Sequence, residues 1–243
     1  MKKMKKILAA VLLLALALCL TGCGESSEAK YSRAEKLLGE EKYDEAVKLL
    51  EELGTYGDAE KAARYAKAVL SAEGGDYASA IAAFKVLGDY RDGPLMIPYY
   101  TARQYEDQAT DVNWSPRIMA AETYDPIALF RDSKERAENC RKAVYDEAVR
   151  LTGTEQYGES TEMLAALHDY ADSEQLLQYY QAFALEQEDR FAEASAAFAA
   201  LGDYRDAQEQ ATEVLKRGYQ KADAQERAGK QEAAYRIFLS LGD

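Results

Sequence analysis

Apolar side chains return along this chain at fixed intervals. Tyr43, Ala46, Leu50 and Leu53 stand at offsets of 0, +3, +7 and +10, with mostly polar residues between them. That spacing places all four on one stripe of a helix. Twelve residues before Tyr43, Tyr31 and Ala34 mark a second stripe on a preceding helix. The same six positions recur as Tyr65, Ala68, Tyr77, Ala80, Phe84 and Leu87. They recur as Tyr145, Ala148, Tyr157, Ser160, Leu164 and Leu167, and then as Tyr179, Ala182, Phe191, Ala194, Phe198 and Leu201. A last copy reads Tyr219, Ala222, Gln231, Ala234, Phe238 and Leu241. Imposing this register uncovers a third copy, Tyr105, Ala120, Tyr124 and Ile127, with Arg117 where an aromatic is expected. Short segments between the stripes, such as "GEEK", "EGGD" and "EQED", are turn-like. Each copy predicts two antiparallel helices with facing apolar stripes. The alanines let the backbones approach, and the aromatics and leucines fill the seam.

An aspartate closes the first five copies: Asp58, Asp92, Asp132, Asp172 and Asp206, at gaps of 34, 40, 40 and 34 residues. It sits in a recurrent phrase, "LGDYRDG" at 87–93 and "LGDYRDA" at 201–207. Leu201 is expected to be the last core contact of its helix, and Gly202 to take the left-handed conformation that ends it. Tyr204 packs over the corner. Asp206 is a good N-cap for the next helix, as are Asp58, Asp92, Asp132 and Asp172. Glu135, Gln175 and Glu209 stand three residues past the cap, as in a capping box. Pro94 falls in a first helical turn, where its missing N–H costs little. The six extra residues of the longer copies lie between the aspartate and the next tyrosine, which lengthens the first helix by under two turns.

The pattern resembles the tetratricopeptide repeat, a helix-turn-helix unit of 34 residues. The resemblance covers roughly residues 30–243 and rests on Ala34 and its equivalents, and on Tyr43, Ala46, Leu50 and theirs. Leu53 and its equivalents depart from it, standing where that family often has a small residue. Asp58 and its equivalents stand where it often has proline. The fold class read from the sequence is all-α: an α-solenoid of about six antiparallel, tetratricopeptide-like helix pairs. Their bounds fall near 31–57, 58–91, 92–131, 132–171, 172–205 and 206–243. Six tyrosines anchor them: Tyr31, Tyr65, Tyr105, Tyr145, Tyr179 and Tyr219. The resemblance implies that the first helices line a concave face that takes peptides or partner proteins. Stacked repeats normally end in a polar cap. The chain stops on "LGD", inside the phrase, so the expectation is a repeat domain truncated at its C-terminus.

Ahead of the repeats the pattern changes. "MKKMKK" is followed by 14 apolar residues, Ile7 to Leu20. About 20 are needed to span a bilayer as a helix, so a secretory signal is expected rather than a permanent span. "LTGC", Leu20 to Cys23, resembles the lipobox of bacterial lipoproteins. That resemblance implies a signal peptide at 1–22, cleavage before Cys23, and a diacylglycerol on the Cys23 thiol. The acyl chains would anchor the protein by burying CH₂ groups, at roughly 0.8 kcal/mol each. "GESSEAK" at 24–30 is a polar linker whose seven residues reach at most about 25 Å. Lipidated Cys23 and this linker occupy 23–30.

Charge and chemistry narrow the function. Thirty lysines and arginines stand against 43 acids, a formal charge of −13, and removing the four lysines of the leader takes it to −17. Such a surface repels phosphate backbones, so nucleic acid is not an expected partner. With Cys19 lost in the leader and Cys23 acylated, Cys140 is alone, which excludes an internal disulfide or a cysteine metal site. A buried, inert Cys140 is expected. The one histidine, His168, fills the glycine slot of "LHDYADS" and is expected at a surface corner. No Walker or dinucleotide-binding glycine pattern occurs. The aspartates lack the dense alternation of a calcium loop. No catalytic residue, metal or cofactor is assigned, and the chain is not expected to be an enzyme. All four prolines and the only tryptophan lie within 94–126, and Trp114 in "DVNWSP" is the one candidate partner contact.

The expected function is a membrane-anchored extracytoplasmic lipoprotein whose repeats bind a protein or peptide. Two alternatives accompany it: the repeat stalk of a larger cell-surface enzyme or wall-active protein, and an outer-membrane assembly lipoprotein.

Overall fold

Each pair of apolar stripes becomes two helices joined by a short turn. The computed structural model describes residues 25–154 and 156–242. The expected signal segment and Cys23 lie outside the described residues. Twelve α-helices and no strand occur among them. They are α1 (Ser27–Gly39), α2 (Tyr43–Leu53), α3 (Ala59–Glu73), α4 (Tyr77–Leu87), α5 (Gly93–Gln108) and α6 (Ser115–Tyr124). After a short 3₁₀ turn, Asp125–Ile127, come α7 (Ser133–Thr152), α8 (Tyr157–Ala166), α9 (Ser173–Gln187), α10 (Phe191–Ala200), α11 (Ala207–Arg227) and α12 (Gln231–Ser240).

Two compact units divide the chain, one through Tyr100 and one from Thr101. The sequence reading expects one continuous repeat domain. The boundary falls in α5, inside the third copy, where the apolar register is weakest. In the first unit α1 packs on α2, α2 on α3 and α3 on α4. Tyr100 of α5 stacks on Tyr77 and Phe84 of α4, at ring distances of 6.2 and 5.9 Å. In the second unit every helix from α6 to α12 packs on the next in the chain. This consecutive stacking is the solenoid-like arrangement that the repeat predicts.

The expected seams are the observed cores. In the first unit Ala34, Tyr43, Ala46, Leu50, Tyr65, Ala80 and Phe84 are buried. In the second, Ala148, Leu164, Tyr179, Ala182, Phe191, Ala194 and Phe198 form one cluster. Ser160 takes the alanine slot of its copy, and its hydroxyl donates to the Ala148 carbonyl at 2.9 Å. That bond satisfies a buried polar group on the facing helix. The longer copies behave as expected: α7 and α11 run 20 and 21 residues, against 15 for α3 and α9. The third copy is the exception. Its α5 has 16 residues, and the remainder of its extra length forms the loop before α6 and the 3₁₀ turn after it.

Turn geometry corrects one expectation. Asp58, Asp132, Asp172 and Asp206 stand at the N-cap position, and their carbonyls accept the first helical bonds from Ala62, Arg136, Leu176 and Gln210. Their side chains do not cap the helix. Their backbones lie at φ near −100° and ψ near +20°, away from the extended region that aims a capping side chain at the N3 amide. Asp92 also accepts at its carbonyl, from Met96. Side-chain caps occur elsewhere: Ser26 Oγ accepts from the Ala29 amide and Asp76 Oδ1 from the Ser79 amide.

Four of the five phrases use two left-handed residues where one is expected. Gly54, Gly88, His168 and Gly202 end their helices with φ of 51 to 59°. Three residues later, Gly57, Arg91, Ala171 and Arg205 are left-handed as well, and Arg131 matches them in the third copy. The left-handed residue before each aspartate is followed, directly after the aspartate, by a small residue. Ala59, Ser133, Ser173 and Ala207 are completely buried, and Gly93, also buried, has the Gly88 carbonyl 3.1 Å from where a Cβ would sit.

Candidate functional site

The chemistry of the chain concentrates at these turns. In three copies the anchor tyrosine reaches the aspartate 27 residues on. Tyr65 donates to Asp92 and Tyr145 to Asp172, each at 2.5 Å, and Tyr179 donates to Asp206. The same tyrosine meets the phrase tyrosine edge to face: Tyr65 with Tyr90 at 6.2 Å, Tyr145 with Tyr170 and Tyr179 with Tyr204 at 6.0 Å. Tyr31 meets Tyr56 in the same way at 6.0 Å. The aspartates therefore lock first helices to exit turns.

Protonation follows from this wiring. Burial pushes Tyr145 and Tyr170 up to about 12, and hydrogen bonds to Asp172 and Glu138 add to the effect. Burial and Glu35 raise Tyr31 to about 12. Burial opposes ionisation of Asp172, yet hydrogen bonds from Tyr145 and Tyr204 hold its carboxyl below the usual range. Gln210 and then Tyr179 do the same for Asp206.

Two anchors depart from the pattern. Tyr105 is half-buried and makes no bond to Asp132. Arg136 holds that aspartate at 2.8 Å and reaches Glu106 at 2.9 Å, where the Tyr124 hydroxyl also donates at 2.7 Å. Tyr219 is 54% exposed, not a seam residue. Its ring partner among the described residues is Phe238 at 6.3 Å, where Tyr31, Tyr65, Tyr145 and Tyr179 meet a phrase tyrosine. Phe238 is itself 38% exposed, with Tyr235 and Leu239 at 63% each.

Trp114 immediately precedes α6 and is half-buried, packed against the core of the second unit. Its neighbours Val112 and Met119 are exposed. Cys140 is buried, and its thiol is pushed up to about 11 by burial and by Glu106, which keeps it protonated and unreactive at neutral pH. It borders a cleft of about 220 Å³ with Glu106, Arg117 and Arg136. His168 is at the corner between α8 and α9 as expected, in the left-handed region. No group of His, Cys, Asp or Glu among the described residues is arranged to hold a metal ion. None of the described helices is long and apolar enough to cross a membrane.

The phrase arginines form the second feature that the sequence reading did not assign. Arg91 lies over the rings of Tyr65 and Tyr90, at 5.6 Å from each centroid, and pairs with Glu35. Arg205 lies over Tyr179 and Tyr204 at 5.8 and 5.5 Å, and donates to the Tyr180 hydroxyl at 3.3 Å. These arrangements are cation–π contacts that fix a guanidinium at the surface. The signal was present as the repeated "YRD", but its spacing from Glu35 is visible only after folding. Comparison with protein-family models, curated proteins and solved structures gives no match.

Proposed function

We propose that this chain is a lipid-anchored extracytoplasmic module that binds a protein or peptide on its stacked helix pairs. The stacking supports this reading most directly. Helix pairs packed in chain order spread their surface over many turns instead of closing it around one cavity. Aromatic and arginine side chains, the types that dominate partner interfaces, are exposed at those turns and on α11 and α12. The address rests on the basic start, the apolar run and "LTGC" ending at Cys23.

Two measurements test the proposal. Intact mass of membrane-extracted protein is expected to show a chain beginning at Cys23 with a diacylglycerol. An unmodified Cys23 ends the anchor. Trp114→Ala, on a folded protein, is expected to weaken partner capture in living cells if the loop before α6 contributes, and unchanged capture removes Trp114 from the surface.

A further inference from the structure

The two units carry the same arginine cradle with one difference. Positions in the first unit map to the second by adding 114: Tyr65 to Tyr179, Tyr90 to Tyr204, Arg91 to Arg205. In the first unit Glu35 fills the cradle and neutralises Arg91. The position equivalent to Glu35 is Val149, which packs against the core cluster. Arg205 consequently has no carboxylate at ion-pair distance among the described residues. Asp172 acts on it only at longer range, because both Asp172 oxygens are occupied by the hydroxyls of Tyr145 and Tyr204. Arg205 is exposed, held in place by two rings and one hydroxyl. Its donors are thus ordered in advance, which lowers the entropy cost of taking a ligand.

We propose that Arg205, with Tyr179, Tyr180 and Tyr204, binds a carboxylate supplied by a partner peptide, in the role that Glu35 plays within the first unit. The protein's own first unit is the precedent for the chemistry: a guanidinium over two tyrosines holding a carboxylate. Arginine suits this because its planar fork matches a carboxylate's two oxygens. The source is either an acidic side chain or a peptide C-terminus. This inference rests on the partner-binding reading, and its test reads the site separately from any partner.

The experiment is an NMR titration of the arginine Nε–H resonances in the full lipidated chain. The probes are N-acetylglutamate α-amide, N-acetylglycine, inorganic phosphate, and chloride at matched ionic strength. Arg205 is expected to shift saturably with a carboxylate probe and not with chloride, while Arg91, already paired, stays still. Whichever carboxylate probe binds tighter identifies the source. Arg205→Lys is expected to weaken the Tyr-cradled binding about tenfold. Val149→Glu is expected to place the second-unit arginine in the Arg91-like bound position and abolish the titration. Equal responses from Arg91 and Arg205, a chloride-like response, or tighter binding of phosphate overturns the proposal. Failure to capture a partner in cells, with the titration intact, overturns the functional reading and leaves the site standing.

Discussion

His168 shows how much a single position contributes. It holds φ of 51° where the equivalent positions of three other copies are Gly54, Gly88 and Gly202, and an L-residue there is strained. His168→Gly is expected to raise the stability of the second unit by about 1 kcal/mol, read as a higher urea midpoint with an unchanged slope. An unchanged midpoint contradicts the strain argument. The tyrosine–aspartate bonds make a second prediction, in pH. Folded tyrosines at about 12, against an ordinary 10, contribute stability that is complete below pH 10 and is lost as pH rises from 10 towards 12. Lowered carboxyls at Asp172 and Asp206 contribute stability that is complete above their ordinary 3.8 and is lost as pH falls below it. Urea titrations across pH 3 to 12 are expected to show a plateau with both shoulders. Tyr145→Phe is expected to reduce the alkaline shoulder without removing it, since Tyr31 and Tyr170 are raised as well, and an identical shoulder in that variant contradicts the assignment.

Helix packing is legible in the sequence wherever one side chain per turn decides it. The stripes at Tyr43, Ala46 and Leu50, and the long α7 and α11, were readable because helical periodicity is a local property. The carboxylate roles were not. Capping preference is local, but the backbone turn before each helix aims Asp172 and Asp206 away from the amides and towards tyrosines 27 residues earlier. No short-range rule carries that information. Gly218 was equally hidden, an ordinary glycine inside an otherwise good helix. A Cβ there would meet Leu241 and the Phe191 ring at 2.7 Å. Gly218→Ala gains about 1 kcal/mol of helix propensity, and overpacking costs about 1–3 kcal/mol. The crowding of a ring and a leucine together is expected to prevail, so the variant loses about 1 kcal/mol. Gly158→Ala in α8, with open space around it, is expected to be neutral or to gain up to about 0.5 kcal/mol. Thermal denaturation of the two variants checks the contrast, and equal shifts contradict it.

Across the whole chain, copies that share one framework differ in what their turns expose. Glu35 closes the cradle in the first unit and Val149 leaves it open in the second. The third copy replaces the tyrosine–aspartate bond with Arg136, Glu106 and Tyr124. Charge supports the same view, since a chain of formal charge −13 gives a fixed guanidinium with no carboxylate partner unusual weight against its surroundings. Partner binding through these turns is the central claim, and photo-crosslinking in the host cell tests it most directly. A photo-reactive residue replaces exposed Asp203, beside Arg205, in the full chain, and a control replaces exposed Lys48. The account predicts a discrete protein adduct from position 203 that is absent from position 48 and is lost when Arg205→Ala is added to the folded protein. No adduct, or the same adducts from both positions regardless of Arg205, contradicts it.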